Sequence, residues 1–140
     1  IDLNSLARAQ ANLNDPRAVA SYVEADELSR QYLGAASPNA LIVRLGLIEA
    51  LSNAGKTGEA RNRLEDARPL VAAMPDPLLR SLLSRAEATI AIGARDWSTA
   101  ASKLDEAEKL ARSAGPGGAA IVTTINQLRG KLAAARARTG

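Results

Sequence analysis

The chain has 140 residues, of which 46% are hydrophobic and only 2% aromatic, and it contains neither Cys nor His. These two absences exclude disulfides, thiolate metal ligands, thiolate nucleophiles and imidazole bases. Eighteen basic and 15 acidic residues are interleaved, for a formal net charge of +3, and no apolar run approaches the ~18 residues of a membrane-spanning helix. The composition does not decide the cellular compartment, because a Cys-free chain fits the cytoplasm and the periplasm equally well.

Capping residues and glycines delimit seven predicted helices. Ser37 and Asp76, for example, each precede a proline, the usual order of an N-cap and a first helical residue. Asp96 is a further N-cap candidate, without a proline after it. Gly34, Gly55 and Gly115 stand where helices should end, because glycine adopts the left-handed conformation that closes them. Few segments alternate as strands do, so we expect an all-α fold with antiparallel neighbours. The predicted helices cover residues 3–13, 16–33, 38–54, 58–74, 77–94, 97–114 and 118–137.

An apolar motif recurs in three of these helices. It consists of Ala, then Leu or Tyr, then Ala, then Leu, at offsets of 4, 7 and 10 residues, which return to one side of a helix. Its copies are spaced by 42 and 40 residues, a period typical of stacked helical repeats. We therefore expect the motif to form the buried seam between paired helices. Its members are Ala18, Tyr22, Ala25 and Leu28; Ala60, Leu64, Ala67 and Leu70; Ala100, Leu104, Ala107 and Leu110.

The turn and second helix of these units resemble the tetratricopeptide repeat (TPR). Residues 96–107 are similar to the family signature, with Trp97 just after the turn and small residues at two packing positions. Residues 55–67 are similar to the same signature. The resemblance implies one domain, 1–140, built as a right-handed superhelical array of antiparallel helix pairs (an α-solenoid). The period of about 40 suggests the longer repeats of bacterial regulators and scaffolds. The implied units are 3–36, 37–75 and 76–115, with a capping helix at 118–137.

The resemblance also implies a concave groove, lined by the first helix of each pair, that binds an extended peptide or a partner helix. Asn53 and Arg85 would hydrogen-bond the backbone or a carboxylate of such a partner. We expect a non-catalytic protein–protein interaction scaffold that uses no cofactor and no metal, with ordinary helix surface as the alternative reading of each groove residue. The exposed positions expected on these helices are Gln10, Glu49, Asn53, Arg85 and Thr89.

The basic residues near the C-terminus suggest a second function. We expect no acidic partner for Arg129, Lys131, Arg136 and Arg138. They would suit a nucleic-acid-binding or regulatory module, although cations also interact favourably with a helix C-terminus. Nucleic acid is the less favoured partner, because two Tyr and one Trp, scattered along the chain, do not make a stacking platform. Self-association through the ends of the stack is a third possibility.

The acidic residues are expected at the surface, in pairs with bases that follow four residues later. Two other features depart from regular helix. Pro69 should kink its helix or end it early. The glycines around Pro116 are read as a flexible turn, because the Lys and Ser or Thr of a phosphate loop do not follow them. The expected surface pairs are Asp26–Arg30, Glu59–Arg63, Asp105–Lys109 and Glu108–Arg112.

Overall fold

A computed structural model describes residues 17–139, and in that stretch the chain is all-α, without strands. Six predicted helices are confirmed to within about two residues, whereas the predicted helix at 3–13 lies outside the described residues. The solenoid arrangement stays a prediction. The helices are α1 (Ala18–Leu33), α2 (Pro38–Asn53), α3 (Thr57–Ala72), α4 (Pro77–Gly93), α5 (Trp97–Ser113) and α6 (Ala119–Thr139), with a 3₁₀ helix, η1 (Gly115–Gly118), before the last.

The chain divides into two compact units on either side of the bond between Leu70 and Val71, which lies inside α3. In the first unit, α1 packs against α2. In the second, α5 packs against both α4 and α6. Helices that follow each other after a three- or four-residue connection and pack together form antiparallel hairpins. The predicted antiparallel pairing is therefore present within each unit.

Two of the predicted N-caps form as expected. Asp76 accepts a hydrogen bond from the amide of Leu78 at 2.9 Å, at the start of α4. Asp96 accepts one from the amide of Thr99 at 3.2 Å, at the start of α5. Hydrogen bonds from Thr99 hold the pKa of Asp96 below its ordinary value. Ser37 makes no such bond, and α2 instead begins with a proline, whose φ is already helical.

The turn before α3 and the turn before α5 have the same backbone structure. In residues 51–56 and 91–96, the sixth amide donates to the first carbonyl at 2.9 Å and the fifth amide to the second carbonyl at 3.1 Å. This is the Schellman arrangement, which requires a left-handed residue at the fifth position. Gly55 occupies it with φ of 82° and Arg95 with φ of 61°. The backbones of these two turns, 40 residues apart, therefore have equivalent hydrogen bonds.

The repeated motif is buried at its first three positions but not at its fourth. All nine residues at the first three positions are buried, whereas Leu28 is 39% exposed and Leu70 and Leu110 are half-buried. In α3 and α5 the next residue is buried instead, Val71 and Ala111 respectively. The reason is helix geometry, because an offset of ten residues lies about 80° from the first motif position and an offset of eleven about 20°. The prediction was wrong by one residue at the end of the stripe.

Small residues allow two close helix contacts. A methyl group added at Gly46 of α2 would lie 2.5 Å from the Tyr22 ring of α1, so the larger motif residue of the first copy requires a glycine opposite it. In the second unit, the hydroxyl of Ser81 in α4 donates to the carbonyl of Ala107 in α5 at 2.7 Å, and both residues are fully buried. The motif alanine permits that contact because it has no larger side chain to separate the helices.

The glycine segment differs from expectation, and of the two outcomes expected at Pro69 the early helix end is absent, while the kink stays a prediction. Pro69 lies at an exposed position inside α3, which continues to Ala72, so the helix does not end early. Water can solvate the carbonyl that loses its helical donor there. The glycine segment is not a loose turn, because it forms η1 and buries Gly118 against the carbonyl of Ala111. A methyl group at Gly118 would lie 1.8 Å from that oxygen.

Candidate functional site

The predicted groove residues of the first unit lie one turn apart on α2. Asn53 is exposed at the last position of the helix, and Glu49 is half-buried. This placement agrees with the exposure expected for Asn53. Gln10 lies outside the described residues.

The predicted groove residues of the second unit lie one turn apart on α4. Thr89 is only 4% exposed and its hydroxyl donates to the carbonyl of Arg85 at 3.0 Å, so the expected exposure of Thr89 was wrong. The physical reason is that α4 contacts both α5 and α6, which leaves it a narrower solvent-facing side. Arg85 is half-buried and donates to the hydroxyl of Thr124 in α6 at 2.7 Å. It therefore links two helices of its own unit.

The basic C-terminal helix is partly neutralised by α5. Arg129 lies 2.8 Å from a carboxylate oxygen of Asp105 and also bonds Glu108, so the expectation that it meets no acid was wrong. Those acids precede it by 24 and 21 residues and come close only through the packing of α5 on α6. Hydrogen bonds from Arg129, and to a smaller extent from Arg112, hold the pKa of Glu108 below its ordinary value. Lys131 and the last two arginines of α6 remain exposed.

Three arginines converge on one carboxylate in the first unit. Asp26 of α1 lies 3.3 Å from Arg30 of the same helix, 3.7 Å from Arg44 of α2 and 3.5 Å from Arg63 of α3. We call these four residues the Asp26 cluster. The predicted Asp26–Arg30 pair is present, but Arg63 contacts Asp26, whereas the sequence had paired it with Glu59.

The carboxylate at the centre of this cluster is buried. Asp26 is 1% exposed, and its Oδ1 accepts no hydrogen bond within the described part of the chain. The side chain of Arg44 is 10% exposed, whereas those of Arg30 and Arg63 are 42% and 37% exposed. The surface position expected for Asp26 was therefore wrong. Its position four residues after Tyr22 was the available signal, because that spacing lies on the buried side of the helix.

Two shallow depressions lie in the second unit. One, of about 330 Å³, lies where α5 meets η1 and is lined mainly by glycine and alanine. The other, of about 420 Å³, follows α6 between Arg129 and Arg136 around Leu132. Neither lining combines an acid and a base that could exchange a proton with a bound molecule.

Within residues 17–139, no group of three or more acidic side chains is arranged to hold a metal ion. In the same stretch, none of the helices has the length and apolar character to cross a membrane. No protein-family model matches the chain, and neither a curated protein nor a solved structure matches it. Its function is therefore inferred from its own residues and contacts.

Proposed function

We propose that this chain is a non-catalytic protein–protein interaction domain of the TPR-like kind, which binds an extended peptide or a partner helix. The observation that carries the proposal is the backbone repeat between residues 51–72 and 91–112, with equivalent turns and equivalent buried positions in the helix that follows. In repeated helix pairs of this kind, the motif side chains pack inside the domain. The polar faces of the helices are then available to a partner.

Asn53 and Arg85 are the proposed contacts for the backbone or a carboxylate of the partner. The Asn53 amide both donates and accepts, and it stands exposed at the end of α2. Arg85 is already held by its bond to Thr124. A partner that contacts Arg85 therefore orders fewer groups on binding, which reduces the entropic cost.

The test is capture of a partner by the intact chain, followed by affinity measurements on the purified pair. The Asn53→Ala, Arg85→Ala double variant should bind about tenfold more weakly, the loss expected for about 1.4 kcal/mol. Asn62→Ala is the matched control, because Asn62 is an exposed asparagine on α3, outside the proposed groove. Circular dichroism checks that the double variant is folded. Equal binding by all three proteins would remove the groove assignment, and failure to capture any partner would contradict the proposed function.

A nucleic-acid-binding or regulatory module remains the second candidate, through the exposed bases of α6. The pairing of Arg129 with Asp105 and Glu108 weakens it, because those acids reduce the positive charge of the helix. Heparin or DNA binding that falls steeply with salt would support this alternative. Light scattering tests self-association, which a strict monomer would exclude.

A further inference from the structure

We infer that the Asp26 cluster is an anion-binding site that receives a single carboxylate from an acidic residue of the partner. This inference rests on the proposed function and specifies the chemistry of the partner segment. The cluster combines three guanidinium groups with one carboxylate, so it carries a formal excess of two positive charges. An additional carboxylate would neutralise half of that excess.

The arginines of the cluster have more donors than Asp26 can use. Each guanidinium carries five N–H groups, about fifteen in all, whereas a carboxylate accepts about four hydrogen bonds. The contacts to Asp26, at 3.3 to 3.7 Å, are also longer than the roughly 2.7–2.9 Å of a tight guanidinium–carboxylate bond. Asp26 can therefore satisfy only part of the hydrogen-bond donors of these three arginines.

Two of the three arginines can be reached from solvent. The side chains of Arg30 and Arg63 are 42% and 37% exposed, while Arg44 lies deeper, with 10% of its side chain exposed. Because they come from three different helices, the guanidinium groups are positioned by the packing of the first unit. A ligand bound there would meet a preorganised set of donors, which reduces the entropy lost on binding.

The surroundings favour one carboxylate over a nucleic-acid backbone. Glu59 is exposed one turn before Arg63 on α3, and Glu27 is exposed directly after Asp26 on α1. These acids would repel the successive phosphates of an extended polyanion. A lone Asp or Glu side chain flanked by uncharged residues meets less of that repulsion, because it brings a single negative charge.

The test is NMR titration of the intact chain, with the arginine Nε–Hε signals as the direct readout. The probe is a capped five-residue peptide, acetyl-Gly-Ala-Glu-Ala-Gly-amide, and the matched control is the same peptide with Gln in place of Glu. We expect saturable shifts of the Arg30 and Arg63 signals at millimolar concentrations of the Glu peptide and none with the Gln peptide. Equal shifts with both peptides, or no shift with either, would overturn the inference.

Substitutions separate the cluster from general charge effects. Arg30→Gln and Arg63→Gln should each weaken binding of the Glu peptide about tenfold. Arg61→Gln removes the same charge from an exposed position of α3 and should change the affinity for the Glu peptide less than twofold. Equal weakening by Arg61→Gln and Arg63→Gln would show that only net charge matters, and would refute a localised site.

Asp26→Asn provides a readout that a purely structural cluster would not move. Asp26 competes with the incoming carboxylate for the same guanidinium groups, so removing its charge should tighten peptide binding several-fold. Unchanged or weaker binding by a folded Asp26→Asn variant would contradict this reasoning. If that variant does not fold, the Arg30 and Arg63 substitutions still decide the question.

Three further outcomes identify the source of a failure. A 12-base DNA strand that shifts the Arg30 and Arg63 signals more strongly than the peptide would overturn the assignment to a carboxylate. If the chain captures a partner but does not bind the Glu peptide, only the anion site is refuted. Peptide binding without any captured partner would support the site and contradict the proposed function.

Discussion

Adding one methyl group at Gly118 should destabilise the second unit strongly. A Cβ atom at this position would lie 1.8 Å from the carbonyl oxygen of Ala111 and 2.6 Å from its carbonyl carbon. Carbon–oxygen contacts settle near 3.3–3.6 Å, so the end of η1 would have to move about 1.5 Å away from α5. The obstacle is backbone, which no change of side-chain rotamer can relieve.

The expected loss follows from two opposing effects. Overpacking typically costs about 1–3 kcal/mol and more where the backbone must move, whereas Gly→Ala reduces the entropy of the unfolded chain and gains about 0.4–1 kcal/mol. We therefore expect Gly118→Ala to lower the free energy of unfolding by about 2–3 kcal/mol. Gly117→Ala is the matched control, because a methyl group there meets nothing within 4 Å. It should leave stability unchanged or raise it by up to about 1 kcal/mol.

Denaturant unfolding followed by tryptophan fluorescence measures this difference. Trp97 is the only tryptophan of the chain and lies at the start of α5, so its signal reports on the second unit. The Gly118→Ala transition should shift to lower denaturant and that of Gly117→Ala should not. Transitions of the two variants that agree within about 0.5 kcal/mol would refute the close approach of η1 to α5.

Three further predictions test other contacts. Gly46→Ala should destabilise the first unit by about 1–3 kcal/mol because of the tyrosine ring 2.5 Å away, whereas Gly130→Ala, in open space on α6, should stabilise by up to about 1 kcal/mol. Urea unfolding compares the two, and equal effects would contradict the tight α1–α2 contact. Gly55→Ala should lower the free energy of unfolding by about 1 kcal/mol, and Arg95→Gly should raise it by about 0.5–1 kcal/mol, because both positions have positive φ. Urea unfolding also checks these two signs. A stabilising Gly55→Ala would refute the argument. Because the pKa of Glu108 is lowered, its contribution to the free energy of unfolding is complete above the ordinary glutamate pKa. That contribution is lost as the pH falls through the lowered pKa. Glu108→Gln should therefore be less stable than the parent at neutral pH and equal to it in strong acid, and a pH-independent difference in unfolding free energy would contradict the role of the two bonded arginines.

The helix boundaries could be predicted because their signals are local. Asp76 and Asp96 bond amides only two or three residues away, so the capping side chain and its partner are visible together in the sequence. Gly34, Gly55 and Gly115 end helices with positive φ, as their residue type indicated. Arg95 takes the same conformation without that signal. Only the 40-residue repeat could have located it, through its correspondence with Gly55.

The charge contacts could be predicted only in part, because several partners are distant along the chain. Asp26–Arg30 and Glu108–Arg112 are one turn apart and form as expected. Arg129 instead reaches across to acids of the preceding helix. A helix-surface rule compares residues three or four apart, so it cannot weigh a nearer partner on another helix.

The sequence by itself determined the all-α class, six helix positions and the burial of the first three motif positions, because backbone propensity, capping and helical periodicity act over a few residues. Tertiary structure alone decided which polar groups are enclosed. Thr89 is buried because α4 contacts two helices, and the Asp26 cluster exists because α1, α2 and α3 bring its three arginines to one carboxylate. Burial and charge proximity depend on how helices pack, and residues 37 positions apart, such as Asp26 and Arg63, have no spacing rule that connects them.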